Sequence, residues 1–366
     1  MAGWCAVIDG VDLRHHGDVE ARGVCWDFAV NVAVGEPPLF VAEALRESLG
    51  GVAAYPDEFP TRRVVAEHVG VDPACVLLVN GVAEAFGLVA RLRSWQRPCV
   101  VHPQFTEPEA ALVGAGHQVV RHVLDAEDGF VLRAAQVDEG ADVVVVGNPT
   151  NPTSVLHPRG EVLGLLRPGR VVVVDEAFMD VAVGVGVGVG GVRGSESLLV
   201  DAACTQGLVV LRSLTKTFGL AGVRAGFVVA EPGLVEQLRQ LQSPWSVNVP
   251  ALAAMRAVCS QEGEEFAAGV AERVVRDREL LVQGLRQRGF DVVSGAAGPF
   301  VLVRHQRAVW VREVLRQRGV GLRRGDTFPG LGSQWLRIAA RAAREREVLF
   351  EQVDGLGLRG GSRVGL

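Results

Sequence analysis

Val171-Val172-Val173-Val174-Asp175-Glu176-Ala177-Phe178 is the stretch on which the fold class turns. Four β-branched residues in a row show no polar alternation, so the run suits a strand covered on both faces. A carboxylate closes it. Comparable aliphatic runs occur at residues 75–79, 98–101, 118–123, 143–146 and 208–211. Helical patterns lie between them, as at 81–93, and one precedes them at 37–49, with Val41, Leu45 and Leu49 on one face. This alternation predicts an α/β domain with a mostly parallel central sheet. Towards the C-terminus, helical patterns at 234–241 and 261–289 precede strand-like runs at 300–303 and 335–338 and helices at 309–318 and 345–354. They predict a smaller α+β unit. The expected division is an arm plus part of the small domain at 1–50, a large domain at 51–255, and a small domain at 256–366. Residues 1–35 read as an arm rather than a packed element. The Val/Gly run at 181–194 reads as a flexible loop or weak hairpin, and the final Gly-Gly-Ser-Arg segment as frayed.

Downstream of the valine run the chain reads Ser213-Leu214-Thr215-Lys216-Thr217-Phe218-Gly219-Leu220-Ala221-Gly222-Val223-Arg224. Lys216 is the only lysine, and the other 36 of the 37 Lys+Arg residues are arginines. Arginine stays protonated, whereas a lysine pKa can fall far enough for its amine to act as a nucleophile. A hydroxyl three residues before this lysine and an arginine eight after it suit an aldehyde cofactor with a phosphate, pyridoxal 5'-phosphate (PLP). PLP chemistry needs an amine for the aldehyde, a carboxylate for the pyridine nitrogen, donors for the phenolate oxygen, a flat group on the ring and a phosphate cradle at a helix N-terminus. The candidates are Lys216; Asp175 at the end of a buried strand; Asn151 in Asn148-Pro149-Thr150-Asn151-Pro152-Thr153; Phe105 in His102-Pro103-Gln104-Phe105; and the turn Asn80-Gly81-Val82-Ala83-Glu84, with Ser213 and Arg224. Read singly, Asp175 could cap a helix, Asn151 could open a turn, and Phe105 could be core.

The bulk composition narrows the alternatives. Hydrophobic residues make up 48% and charged residues 22%, as in an ordinary globular enzyme. A net charge of −5 gives no reason to expect nucleic acid or an anionic membrane as partner. No apolar run is long enough to span a bilayer, and Met1–Gly10 lacks the pattern of a signal peptide. The expectation is a cytoplasmic protein. Six scattered cysteines without a CxxC motif, and histidines without HExxH spacing, lead to no expected metal site.

Taken in this order, the motifs resemble fold-type-I PLP enzymes of the class I/II aminotransferase group, in its histidinol-phosphate aminotransferase-like branch. Shorter stretches, at 27–31, 175–180, 244–248 and 328–332, look like the L-threonine-O-3-phosphate decarboxylases of cobalamin biosynthesis. His15-His16-Gly17-Asp18 is similar to that subgroup's His-Gly-Gly arm, with His16 where glycine is usual. The resemblance implies that Lys216 carries the cofactor, Asp175 pairs with its pyridine nitrogen, Asn151 donates to its phenolate oxygen and Phe105 stacks on its ring. Val82, Ala83, Ser213 and Arg224 would hold the phosphate. Tyr55 would reach the neighbouring subunit's phosphate, which implies a homodimer. Arg337 would bind a substrate carboxylate, and Arg323, His15 and Asn31 are candidates for a second anion. Phe178 replaces a tyrosine that many aminotransferases have, Ala83 an acidic residue, and Ser154 a glycine. The expected reaction is decarboxylation of L-threonine O-3-phosphate. The alternative is transamination of histidinol phosphate or another amino acid with 2-oxoglutarate. A non-catalytic PLP-binding regulator is a third possibility, though the DNA-binding region usual in such proteins is not evident.

Overall fold

The computed structural model describes residues 7–8, 10–182 and 196–358. The Val/Gly run beyond residue 182 and the Gly-Gly-Ser-Arg segment lie outside the described residues. Seven strands build the main sheet: β1 (Val76–Asn80), β2 (Pro98–His102), β3 (Val120–Val123), β4 (Val143–Gly147), β5 (Val171–Asp175), β6 (Leu208–Ser213) and β7 (Ala225–Ala230). Their spatial order is β1-β7-β6-β5-β4-β2-β3. β7 runs antiparallel to both its neighbours, and every other pairing is parallel. β7 is an addition to the strands expected from sequence. Its Ala-Gly start is a weak strand former, and pairing on both sides is what makes it one.

The valine runs work as their lack of alternation suggests. Val172 and Val174 enter one core with Val144, Val146 and Val210. Val171 and Val173 enter the core on the opposite face, with Val143, Val145 and Val209. Successive side chains point to opposite faces of a strand, so a run without polar residues feeds two cores at once. Each fully buried valine contributes roughly 1.5–3 kcal/mol relative to an exposed one.

A second sheet, antiparallel, is formed by β8 (Asp291–Val292), β9 (Phe300–Arg304), β10 (Arg323–Arg324) and β11 (Trp335–Ala339), in the order β8-β9-β11-β10. Its core includes Leu281 from the long helix Gln261–Gln287, together with Val301, Ile338 and Leu349. Phe28 belongs to the same core and is fully buried. The reading of residues 1–35 as an unpacked arm is therefore corrected for its second half. Trp26–Asp27 pairs in parallel with Val320–Gly321, and Arg341 donates to the carbonyl oxygens of Asp27, Val30 and Val32. A guanidinium thus satisfies backbone acceptors that no regular ladder reaches. No helix among the described residues is long and apolar enough to cross a membrane.

Candidate active site

Because β7 alone is reversed, the C-terminal ends of the other strands and the start of β7 share one edge of the sheet. Most of the expected cofactor residues sit on that edge. Val82 and Ala83 follow β1, Phe105 follows β2 and Asn151 follows β4. Asp175 ends β5, Ser213 ends β6, Lys216 comes next, and Arg224 precedes β7. Strand ends in open α/β sheets are where ligand groups collect.

Register builds the expected phosphate cradle. Ala225 pairs with Asn80, which sets Arg224 against Gly81 across 143 residues of chain. A Cβ on Gly81 would lie 2.6 Å from Arg224 Nη2, and Gly81 has φ +71°. The guanidinium therefore occupies the place a side chain would take. Gly81 caps the helix Val82–Leu92, whose first N–H groups and positive dipole end suit an anion. Ser213 pairs with Gly226, and a Cβ on Gly226 would lie 3.3 Å from the Val82 nitrogen. The hydroxyls of Ser213 and Thr215 are 2.8 Å apart.

Burial sets the charges at the centre. It pulls the Lys216 amine down to about 8, with Arg337 and Arg224 acting in the same direction and Asp175 opposing them. Asp175 is pushed up to about 6 by burial, against the Ala177 N–H, which it accepts at 3.1 Å, and the charge of Lys216. A lysine whose ammonium is disfavoured offers a far larger fraction of neutral amine near neutral pH than an exposed lysine does. The Lys216 carbonyl oxygen accepts from Ala33 N–H at 2.8 Å, which brings the Asn31 segment beside the lysine.

Two of the expected substrate residues, Arg323 and Arg337, come from the small sheet, and His15 and Asn31 from the N-terminal segment. Arg323 and Arg337 are direct cross-strand partners of β10 and β11. Arg337 donates to Asn151 Oδ1 at 2.5 Å and to the Ala29 carbonyl oxygen, and its guanidinium lies over the Phe300 ring. Arg323 donates to the His15 carbonyl oxygen at 2.7 Å. Arg323 Nη1 and Arg337 Nε are buried without a protein partner. Burial lowers both guanidinium pKa values, Arg323 to about 10 and Arg337 well below its ordinary value. Phe178 meets Phe300 edge-on at 5.0 Å. Phe105 is half-buried between Phe86 and His16, with its ring centroid 5.4 Å from that of His16. Tyr55 is 76% exposed and stacks on Trp245 at 4.2 Å.

Ser154 explains its own departure from glycine. Its φ is +65°, a region that favours glycine, and its Oγ accepts the Gly298 N–H at 2.7 Å. The hydrogen bond offsets a backbone cost on the order of 1 kcal/mol. Gly17 belongs to the His15–Asp18 stretch marked by resemblance, whereas Glu107 and Glu20 have no sequence signal beyond adjacency. Gly17 packs so closely that a Cβ would lie 3.3 Å from Arg337 Nη2. Glu107 binds Arg14 and His16, and Glu20 binds His15 and Arg312.

The cradle at Gly81, the depressed amine of Lys216 and the strand-end carboxylate of Asp175 together fit PLP. The sequence profile described as Aminotransferase class I and II matches residues 25–356. A protein of Mycobacterium tuberculosis named histidinol-phosphate aminotransferase is 41% identical over 96% of this chain and 92% of its own length. One of Salmonella typhimurium named threonine-phosphate decarboxylase is 28% identical over 88% and 89%. The fold is shared with the crystal structure of histidinol-phosphate aminotransferase from Sinorhizobium meliloti in complex with pyridoxal-5'-phosphate, at TM-score 0.78 and 20% identity, covering 93% of this chain and 94% of that one. These likenesses back the aminotransferase alternative better than the decarboxylation expected first. With the strand-edge site and a profile match across most of its length, the chain belongs to the PLP-dependent aminotransferase class I and II family.

Proposed function

We propose that the protein is an aminotransferase for an amine substrate carrying a phosphate, with histidinol phosphate as donor and 2-oxoglutarate as acceptor. The observation that carries this reading is the pairing of Arg323 with Arg337 directly across β10 and β11. Like charges opposite each other in a sheet are unfavourable, and each guanidinium has a buried nitrogen without a partner. An anionic group between them relieves both penalties. A phosphate monoester, or a carboxylate of the acceptor, has the required charge. The 41% identical relative carries the same substrate in its name.

In this reading Lys216 would hold the cofactor aldehyde and Asp175 would pair with its pyridine nitrogen. Asn151 would donate to the phenolate oxygen, Phe105 would cover one ring face, and Val82, Ala83, Ser213 and Arg224 would take the phosphate. Bound PLP supplies an electron sink for the pair released at the substrate Cα. Lys216 Nζ would take the proton from the substrate Cα and hand it on to an atom other than Cα, as transamination requires. Arg337 and Arg323 orient the anion, and His15 and Asn31 border it. A homodimer in which Tyr55 reaches the other subunit's phosphate belongs to the same proposal. Its support is the exposure of the stacked pair Tyr55 and Trp245, together with that of Leu49, Val52 and Phe59 in the neighbouring sequence.

A second reading, decarboxylation of L-threonine O-3-phosphate, is favoured by Phe178. It places an apolar ring where a tyrosine hydroxyl is common, and the surrounding Asp-Glu-Ala-Phe-Met-Asp motif goes with it. The test supplies PLP-loaded protein with histidinol phosphate and 2-oxoglutarate and follows glutamate. In parallel, L-threonine O-3-phosphate is given without a keto acid and carbon dioxide is followed. Glutamate that requires Lys216 supports the proposal. Carbon dioxide release without glutamate replaces it with the second reading.

A further inference from the structure

The segment from residue 11 to 21 runs between the two halves of the site, and its neighbouring side chains are held from opposite sides. On the large-sheet side, Arg14 Nη1 and His16 Nε2 lie 2.9 and 2.6 Å from the carboxylate of Glu107, the first residue of the helix Glu107–Gly114. Thr106 Oγ1 donates to the Leu13 carbonyl oxygen at 2.7 Å, and His16 lies against Phe105. On the small-sheet side, His15 Nε2 lies 3.1 Å from Glu20, which also binds Arg312 at 2.9 Å. Arg316 donates to the Glu20 carbonyl oxygen at 2.7 Å, and Arg323 donates to that of His15. The two anchors differ in burial. The Glu20 side chain is 5% exposed and its partners His15 and Arg312 are 18% each, whereas at the other end Glu107 is 14%, Arg14 50% and His16 33% exposed. Solvent competes more strongly for the second set than for the first.

We infer that Glu107 is a positioning residue that latches this segment over the Phe105 face of the site, and that the segment opens at Glu107 while staying anchored at Glu20. Opening separates His16 from Phe105 and admits the amine substrate. Closure returns His16 to Phe105 and keeps the His15 carbonyl oxygen on Arg323. The inference rests on the proposed function only for the identity of the amine. Glu107 does not belong to the cofactor cradle, so PLP affinity is independent of the latch.

The test uses the PLP-loaded protein and its Glu107→Gln, Glu107→Asp and His16→Ala variants. Trypsin cleavage after Arg14 reads opening of the segment without reference to any substrate. Both Glu107 variants are expected to be cleaved about fivefold faster than wild type, with the visible PLP absorbance and PLP affinity unchanged. His16→Ala adds little when combined with Glu107→Gln, because the contact it removes is one of the two that Glu107→Gln already weakens. For whichever phosphorylated amine is turned over, KM rises more than kcat falls. Unchanged cleavage in both Glu107 variants overturns the latch. Wild-type behaviour of Glu107→Asp alone also overturns it, because that reduces the residue to a charge at a helix N-terminus. If neither phosphorylated amine is a substrate, the proposed function fails while the cleavage result still decides the latch.

Discussion

The edge of the large sheet and the end formed by the small sheet hold their charges in different ways. At the large-sheet edge each expected cofactor group stands at, or a few residues from, the end of a strand buried on both faces. Asp175 ends β5, whose four valines feed two cores. The small-sheet end draws on the segment at 11–21, β10, β11 and the helix Ala308–Gln317, and it confines several charges together. Arg323 and Arg337 face each other, and Glu20 offsets Arg312 and His15. The first region is held by apolar packing that is indifferent to what binds. The second is held by charges that a ligand can rearrange. A fold built this way keeps one cofactor chemistry while its substrate end varies.

Four experiments would break or sharpen that contrast. The largest effect belongs to the cofactor edge. Lys216→Ala is expected to lose the visible absorbance of bound PLP and to cut turnover on the order of 10⁴-fold. Retained absorbance and activity would remove the only lysine from the chemistry. Gly81→Ala comes next. Its Cβ would lie 2.6 Å from Arg224 Nη2 at a φ of +71°. PLP affinity should fall about 10- to 100-fold by titration, and the backbone strain should lower the melting temperature of the apo-protein by a few degrees, about 1–3 kcal/mol in stability. At the substrate end, Arg323→Gln should raise KM for a phosphorylated amine about 30-fold and leave PLP affinity as it was. Equal losses in both would mean that the two regions are not separable.

The smallest effect links the regions. Burial holds the Lys216 amine near 8, and below that pH the amine is protonated and cannot take the aldehyde. The rate at which apo-protein develops PLP absorbance should therefore rise with pH and level off above about 8. Arg337 helps to depress that amine, so Arg337→Met should move the profile to higher pH. An unmoved profile would leave burial and Arg224 as the causes.

Much of the cofactor edge was legible before the structure. Runs such as 171–174 and 143–146 carry their burial in their composition, and a carboxylate or Asn-Pro turn at a strand end is a local feature. The resemblance to class I/II aminotransferases rested on the same contiguous motifs, and the profile match over residues 25–356 follows it. Its narrower form, the decarboxylase expectation, rested on shorter stretches, and the more similar of the two named relatives points to the alternative.

By itself, then, the sequence determined an alternating α/β chain with one amine and a strand-end carboxylate suited to PLP. Those properties are written in the identity and order of neighbouring residues, so they can be read without knowing the distant partners that bury them. Only the tertiary structure decided that Ala225 pairs with Asn80 and so brings Arg224 to Gly81, that Arg323 stands opposite Arg337, and that Phe28 fills the small-sheet core. It alone decided that Glu107 and Glu20 hold one segment from two sides. Each of these is a contact between residues far apart in the chain. Strand register and burial select such contacts, and a shift of one residue in either pairing would send the side chains to the other face.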